Sequence, residues 1–106
     1  MSPRHLPASV TELARVPLLG SLPGEVLTEL AHEMSREQLA PGGSLELGDG
    51  FAVVCSGMAS AAGRMLKPGG HVGPGEATVV RAVSPATVAH CGRETYDRLV
   101  RPHAGG

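Results

Sequence analysis

Few residues in this chain have the types and spacing that catalytic or metal chemistry needs. Five histidines and two cysteines are present, but no C-x-x-C or H-x-x-x-H spacing of the kind that holds a structural zinc ion occurs. His90 and Cys91 are neighbours in a predicted strand, so their side chains should point to opposite faces rather than share one ion. No Gly-x-Ser-x-Gly elbow marks a nucleophilic serine. The sequence therefore predicts no catalytic residue, no metal site and no enzymatic activity.

The two cysteines are expected to be small buried side chains in reduced form. A Cys55–Cys91 disulfide is the alternative, and it would need an oxidising compartment. The sequence shows no basic-then-apolar secretion leader. It also has no apolar run near the ~18–20 residues that a membrane span requires. We therefore expect a cytoplasmic protein without a membrane contact.

The charge of the chain is uneven along its length. The formal net charge of −1 excludes a strongly basic nucleic-acid binder. Residues 21–50 hold five Glu and one Asp against one Arg, whereas residues 51–106 hold five Arg and one Lys against two Glu and one Asp. Two solvated faces explain this pattern most simply, and an interaction surface of opposite charges is the alternative.

Helical signals occur at both ends of the chain. The sequence predicts a short helix after the Ser9-x-x-Glu12 capping box, a helix over residues 23–35 that begins at Pro23, and a helix over residues 95–101 that Pro102 stops. The leucine and methionine stripe of the second helix is expected to belong to the core.

Between these helices, regularly spaced glycines separate short apolar runs. Such punctuation predicts short strands joined by tight turns, over residues 44–47, 51–56, 58–62, 65–67, 71–72, 76–83 and 87–91. The expected fold is mainly β, a jelly-roll-like β-roll (a double-stranded β-helix) flanked by short helices. Phe51 and Tyr96 are the expected large anchors of its core. Residues 1–8 and 102–106 are predicted tails around a domain at 9–101.

Several motifs, taken in order over roughly residues 13–101, resemble a known family. The segments are Leu39-Ala40-Pro41-Gly42-Gly43, Val53-Val54-Cys55-Ser56-Gly57, Leu66-Lys67-Pro68-Gly69-Gly70-His71-Val72-Gly73, Ala77-Thr78-Val79-Val80-Arg81-Ala82 and Arg93-Glu94-Thr95-Tyr96. They are similar to parts of the cyclic nucleotide-binding domain of the catabolite-activator (Crp/Fnr-like) regulators. The resemblance implies a β-roll with a regulatory role in signal transduction.

The same resemblance implies a phosphate-binding cassette, from which this sequence departs. Pro74 stands where the family has a Glu for the ribose, and Gly75 stands where it has an Arg for the phosphate. The short helix between them is absent. The loss of the Arg contact alone would cost roughly 1.5–3 kcal/mol, or tenfold or more in affinity. We therefore expect a degenerate and shortened domain that does not bind cyclic nucleotide with normal affinity and acts through protein–protein interaction.

The alternative is a genuine sensor that binds cAMP, cGMP or another anion near residues 69–78. Its candidate binding residues form a small backbone nest and the start of the next strand: Gly69, Gly70, His71, Gly73, Gly75, Glu76 and Thr78. No other cofactor is expected.

The expected partners are proteins. In the resembling family the last helix leads to a DNA-binding helix-turn-helix, whereas this sequence ends at Gly106, so direct DNA binding is not expected. The possible partners are a second copy of the chain, in a homodimer, or a separate effector protein. Residues 16–22 and 96–100 are the expected contact surface.

Overall fold

Helices stand at both ends of the described part of the chain, which is residues 10–104 of a computed structural model. The elements are α1 (Val10–Ala14), α2 (Gly24–Glu33), β1 (Ser35–Leu39), β2 (Ser44–Glu46), β3 (Phe51–Ser56), β4 (Ala59–Ala61), β5 (Arg64–Leu66), β6 (His71–Val72), β7 (Val79–Ala82), β8 (Ala86–Cys91), α3 (Arg93–Leu99) and α4 (Arg101–Ala104). Ser9 of the predicted capping box, the predicted tail at 1–8 and residues 105–106 lie outside the described residues.

The strands form two antiparallel sheets of four. The first sheet has the order β1-β8-β3-β6 and the second has the order β2-β7-β4-β5. The four residues at the start of β3 are all buried, because one face of the first sheet meets the helices and the other meets the second sheet. Successive side chains of a strand alternate between these faces. The mainly-β roll with flanking short helices is confirmed.

Two apolar layers follow from this arrangement. Side chains of both sheets fill the space between them, among them Ala52, Val54 and Val80. The helices and the segment after α1 cover the outer face of the first sheet, with Leu30 and Met34 of the predicted stripe fully buried against it. The stripe therefore belongs to the core, as its spacing predicts.

Phe51 and Tyr96 meet at the centre of the helical layer. The Phe51 side chain is 0% exposed, and its ring centroid lies 4.8 Å from that of Tyr96 at an angle of 45°. Tilted pairs at this separation are favourable beyond the area they bury. Both predicted anchors are therefore in contact, although Tyr96 is only partly buried.

The segments expected to meet a partner contribute their apolar side chains to this same layer. Val16, Leu19, Leu99 and Val100 are buried within the chain itself. Most of the apolar part of residues 16–22 and 96–100 is thus covered within the chain, although Leu18 and Tyr96 are only partly buried. A partner contact at these segments stays a prediction.

Most element boundaries differ from the sequence prediction by one or two residues, and three differences are of greater consequence. The predicted helix over 23–35 ends at Glu33, and Ser35 already begins β1, a strand that the helical pattern concealed. The predicted strand over 76–83 is only Val79–Ala82. Pro102 does not stop the helical segment, because it lies in the first turn of α4, where its missing N–H is tolerated.

Both cysteines are free thiols, so the alternative Cys55–Cys91 disulfide is not formed. Cys91 is buried in the helical layer, and burial raises the pKa of its thiol to about 12. Burial likewise raises the pKa of Cys55 to about 11, with a smaller contribution from the nearby Glu12 carboxylate. These thiols are poorly reactive, since the thiolate is the reactive form.

Among residues 10–104, no helix is both long enough and apolar enough to span a membrane.

Candidate functional site

Six of the seven candidate residues lie on the two turns that flank β6, the edge strand of the first sheet, and His71 lies in β6 itself. Gly69 and Gly70 close the turn before β6, whereas residues 73–78 form the loop between β6 and β7. Glu76 and Thr78 belong to this loop, because β7 begins only at Val79. The candidates are neighbours in sequence, but the structure does not gather their side chains in one pocket.

The backbone N–H groups of the first turn are used inside the fold. Gly69 N–H donates to Val54 O at 2.8 Å, and Gly70 N–H donates to Lys67 O at 2.8 Å. Gly70 O in turn accepts from Val54 N–H at 2.9 Å. The φ of Gly69 is +93°, a conformation that favours glycine. These two glycines thus shape a turn and keep no N–H for an anion.

The loop after β6 binds the carboxylate of one of its own residues, Glu76. Gly73 N–H donates to Glu76 Oε1 at 2.6 Å, and Glu76 N–H donates back to Gly73 O at 3.1 Å. Gly75, with a φ of +83°, lets the chain turn back between them. A Cβ on Gly73 would lie 2.8 Å from Glu76 Oε1, so the carboxylate lies directly against this glycine.

Arg64 completes the contacts of this carboxylate. Its Nη2 donates to Glu76 Oε2 at 3.2 Å, from β5 of the second sheet. The two side chains are about half exposed, so the ion pair itself contributes little to stability. The short bond from Gly73 N–H to a charged oxygen is of the stronger kind. Together the two donors form an anion site that Glu76 fills.

The remaining candidates face other neighbours. The His71 ring lies 6.2 Å from the Phe51 ring, beside the helical layer. Thr78 is exposed, and its backbone oxygen accepts from Leu47 N–H at 2.7 Å. The structure assigns neither side chain to the anion site.

Sequence reasoning missed Arg64, which lies twelve residues before Glu76. The hairpin of β4 and β5 and the position of β5 beside the loop bring them together, and no local motif marks that pairing.

Part of the uneven charge is paired between α2 and α3. Arg98 donates to Glu29 at 2.7 Å and to Glu33 at 2.5 Å. The hydrogen bond from Arg98 lowers the pKa of Glu33, partly opposed by burial. Two glutamates of α2 thus pair with one arginine of α3. The two interpretations of the charge pattern, solvated faces and a surface for a partner, did not include pairing within the chain.

A second cluster of charges surrounds a surface cavity of about 220 Å³ beside the same loop. Its lining residues are Pro74, Arg93, Tyr96, Asp97 and Arg101. Arg93 Nε lies 3.5 Å from Asp97 Oδ2, and Arg101 Nη1 lies 3.6 Å from Asp97 Oδ1. In the described residues, no group of three or more His, Cys, Asp or Glu side chains is placed to hold a metal ion.

No family model matches the sequence, and no curated protein sequence matches it. Solved structures do match. The regulatory subunit of a cAMP-independent protein kinase A from Trypanosoma cruzi, bound to guanosine, is similar at 23% identity and a TM-score of 0.73 over 91% of this chain. This chain spans 42% of the length of that subunit.

Two bacterial structures are similar over most of their own length. A cyclic nucleotide-binding-like protein from Brucella abortus matches at 21% identity and a TM-score of 0.63, over 87% of this chain and 97% of that one. The N-terminal domain of a transcriptional regulator from Streptomyces coelicolor matches at 26% identity and a TM-score of 0.62, over 89% of this chain and 82% of that one. The two-sheet roll, its flanking helices and these likenesses show that the chain has the fold of the cyclic nucleotide-binding domains, with the segment between β6 and β7 reduced to a short loop.

Proposed function

We propose that this chain is a degenerate cyclic nucleotide-binding-like regulatory domain that does not bind cyclic nucleotide with normal affinity and acts through protein–protein contact. The observation that carries the proposal is the Glu76 carboxylate on Gly73 N–H and Arg64. The role is one of binding and regulation rather than catalysis.

A cyclic phosphate is a single anion that needs donors placed around it. In the loop of this chain the N–H of Gly73 already bonds to a carboxylate, and so does the guanidinium of Arg64. An incoming phosphate would have to displace Glu76 and would then lie beside a like charge. This competition lowers affinity for any anion at the loop.

The loop also lacks the other usual source of donors. Residues 73–78 contain no helix, so the loop itself supplies no helix N-terminus to an anion. The N–H groups of Gly69 and Gly70 bond to backbone oxygens of the turn. A nucleotide would therefore find few free donors here.

Loss of a cyclic nucleotide response is compatible with this fold. The Trypanosoma cruzi regulatory subunit belongs to a protein kinase A that is described as cAMP-independent, and its structure is bound to guanosine. A domain of this shape can therefore serve regulation without a response to cAMP. We extend that possibility to this chain, with a protein partner in place of the nucleotide.

Titration with cAMP and with cGMP, followed by backbone amide NMR shifts, tests the proposal. We expect no saturable shift within residues 69–78 up to about 1 mM nucleotide, a concentration at which a ligand bound by about 4 kcal/mol would half-saturate. Saturation at low micromolar nucleotide, centred on these residues, would establish the sensor alternative instead.

Glu76→Gln provides the matched comparison in the same titration. The variant keeps the size of the side chain but removes its charge, so the ion pair with Arg64 is lost. The amide oxygen that remains is a neutral and weaker acceptor for Gly73 N–H, which an external anion can displace more easily. Weak phosphate or cAMP shifts that appear at Gly73 only in this variant would identify Glu76 as the blocking group.

A further inference from the structure

The exposed polar side of α3, Arg101 at the start of α4 and the loop at Pro74 form a cationic cavity that the anion site at Glu76 does not use. We propose that this cavity binds a carboxylate side chain from an acidic segment of a partner protein. The inference rests on the proposed role of the chain as an interaction domain and names the chemistry of that interaction.

The arginines of the cavity keep unused hydrogen-bond donors. A guanidinium carries five N–H donors, and the contacts of Arg93 and Arg101 with Asp97 are 3.5 and 3.6 Å long, beyond the usual length of a hydrogen bond. Both arginine side chains are more than half exposed. They can therefore turn toward a second carboxylate, and water can then solvate Asp97 in their place.

Arg98 of α3 gives a comparison, because its guanidinium makes short hydrogen bonds to two carboxylates. It holds Glu29 and Glu33 at 2.7 and 2.5 Å. The contacts of Arg93 and Arg101 with Asp97 are longer than those of Arg98, so these two guanidinium groups could bind a second carboxylate as well. Two guanidinium charges against one aspartate leave one positive charge, which suits a singly charged carboxylate.

The size and walls of the cavity point to a side chain rather than a cofactor. Its volume of about 220 Å³ is below the ~300–1,000 Å³ of ordinary small-molecule pockets. Tyr96 and Pro74 supply apolar surface along which the methylene groups of a glutamate can lie. Since Leu99 of α3 is buried inside the chain, a partner at this helix would meet its polar side and the exposed part of Tyr96.

A short acidic peptide provides the probe. Acetyl-Glu-Ala-Ala-Glu-amide is titrated into the full chain at low salt, with acetyl-Gln-Ala-Ala-Gln-amide and inorganic phosphate as parallel ligands. We expect saturable shifts at the amides of Arg93, Asp97 and Arg101 with the glutamate peptide only. Equal shifts with the glutamine peptide, or tighter binding of phosphate, would overturn the proposal.

Two pairs of variants separate the cavity from general charge attraction. Arg93→Gln should weaken peptide binding roughly threefold to fivefold, whereas Arg81→Gln, an equal change of charge on the exposed face of β7, should leave it unchanged. Asp97→Asn should tighten binding, because it removes the competing carboxylate, and Glu94→Gln on the same helix should do so less. Equal effects within either pair would contradict a defined site.

The test also distinguishes this inference from the function on which it rests. Peptide shifts that fail to appear, in a chain that also ignores cyclic nucleotides, would overturn the carboxylate site and leave the proposed function standing. Micromolar cAMP binding would overturn the proposed function whatever the peptide does. Shifts at Arg93 and Arg101 that follow protein concentration without peptide would assign the cavity to a second copy of the chain and overturn the proposal of a separate partner.

Discussion

Replacement of Gly57 by alanine is expected to destabilise the fold by about 4 kcal/mol or more, which places it among the most damaging single substitutions. Gly57 has a φ of +76°, and a Cβ there would lie 2.1 Å from Pro85 O and 2.7 Å from Ala86 Cα. The turn after β3 lies against the turn before β8 at this point. Hydrogen bonds from Met58 N–H to Ser84 Oγ and from Val83 N–H to Met58 O hold the turns together. The backbone therefore cannot retreat without breaking this contact.

Gly63→Ala is the matched control for this substitution. Gly63 has nearly the same φ, +74°, but a Cβ there would have nothing within 4 Å. Its cost should be the conformational one alone, about 1–2 kcal/mol. Urea unfolding of the two variants measures the difference. Equal losses of stability would show that the close approach of the two turns does not exist.

Phe51→Ala is expected to cost about 3–5 kcal/mol of the free energy of unfolding. The ring is fully buried, packs on Tyr96 at a centroid distance of 4.8 Å, and joins the first sheet to the helical layer. The cavity left behind cannot collapse fully, because strand pairing on both sides holds β3 in place. A loss of this size is a large part of the total stability of a small domain.

Met65→Ala is the control for the loss of a large apolar side chain. Met65 lies on the edge strand β5 and is 54% exposed, so its truncation should change stability by about 0.5 kcal/mol or less. Denaturant midpoints and slopes of both variants are compared with those of the unchanged chain. A Phe51→Ala loss below about 1 kcal/mol would contradict the central place given to this ring.

Tight turns and apolar runs made most of the roll predictable from the sequence. The strand at Phe51–Ser56 has its predicted bounds, and so does the two-residue strand His71–Val72. Glycines with positive φ angles flank both strands. Gly57 directly follows Phe51–Ser56, and Gly69 lies in the turn before His71–Val72. Here the local chemistry of the chain and the final fold agree.

Strand β1 shows where sequence patterns fail. Its sequence Ser-Arg-Glu-Gln-Leu has neither alternation nor β-branched residues, and it directly follows a strongly periodic helix. Pairing with β8 along its whole length makes it a strand. Tertiary contact thus decides its conformation, and such contact leaves no periodic signal.

The anion site was predictable only in part. The glycines and the missing cassette helix were visible in the sequence. The bond between Glu76 and Gly73 was not, because the sequence predicted a strand over residues 76–83, whereas Glu76 lies in a turn and β7 begins at Val79. The partner Arg64 comes from another hairpin, so only the assembled roll brings the charges together.

The central claim is that the chain's own Glu76 carboxylate occupies the donor of Gly73, and the Gly73 amide proton reports on it directly. In the NMR spectrum of the unchanged chain this resonance should lie downfield, and in Glu76→Gln it should move upfield, because the charge-assisted bond is lost. A Gly73 resonance that keeps its position in the variant would contradict the account.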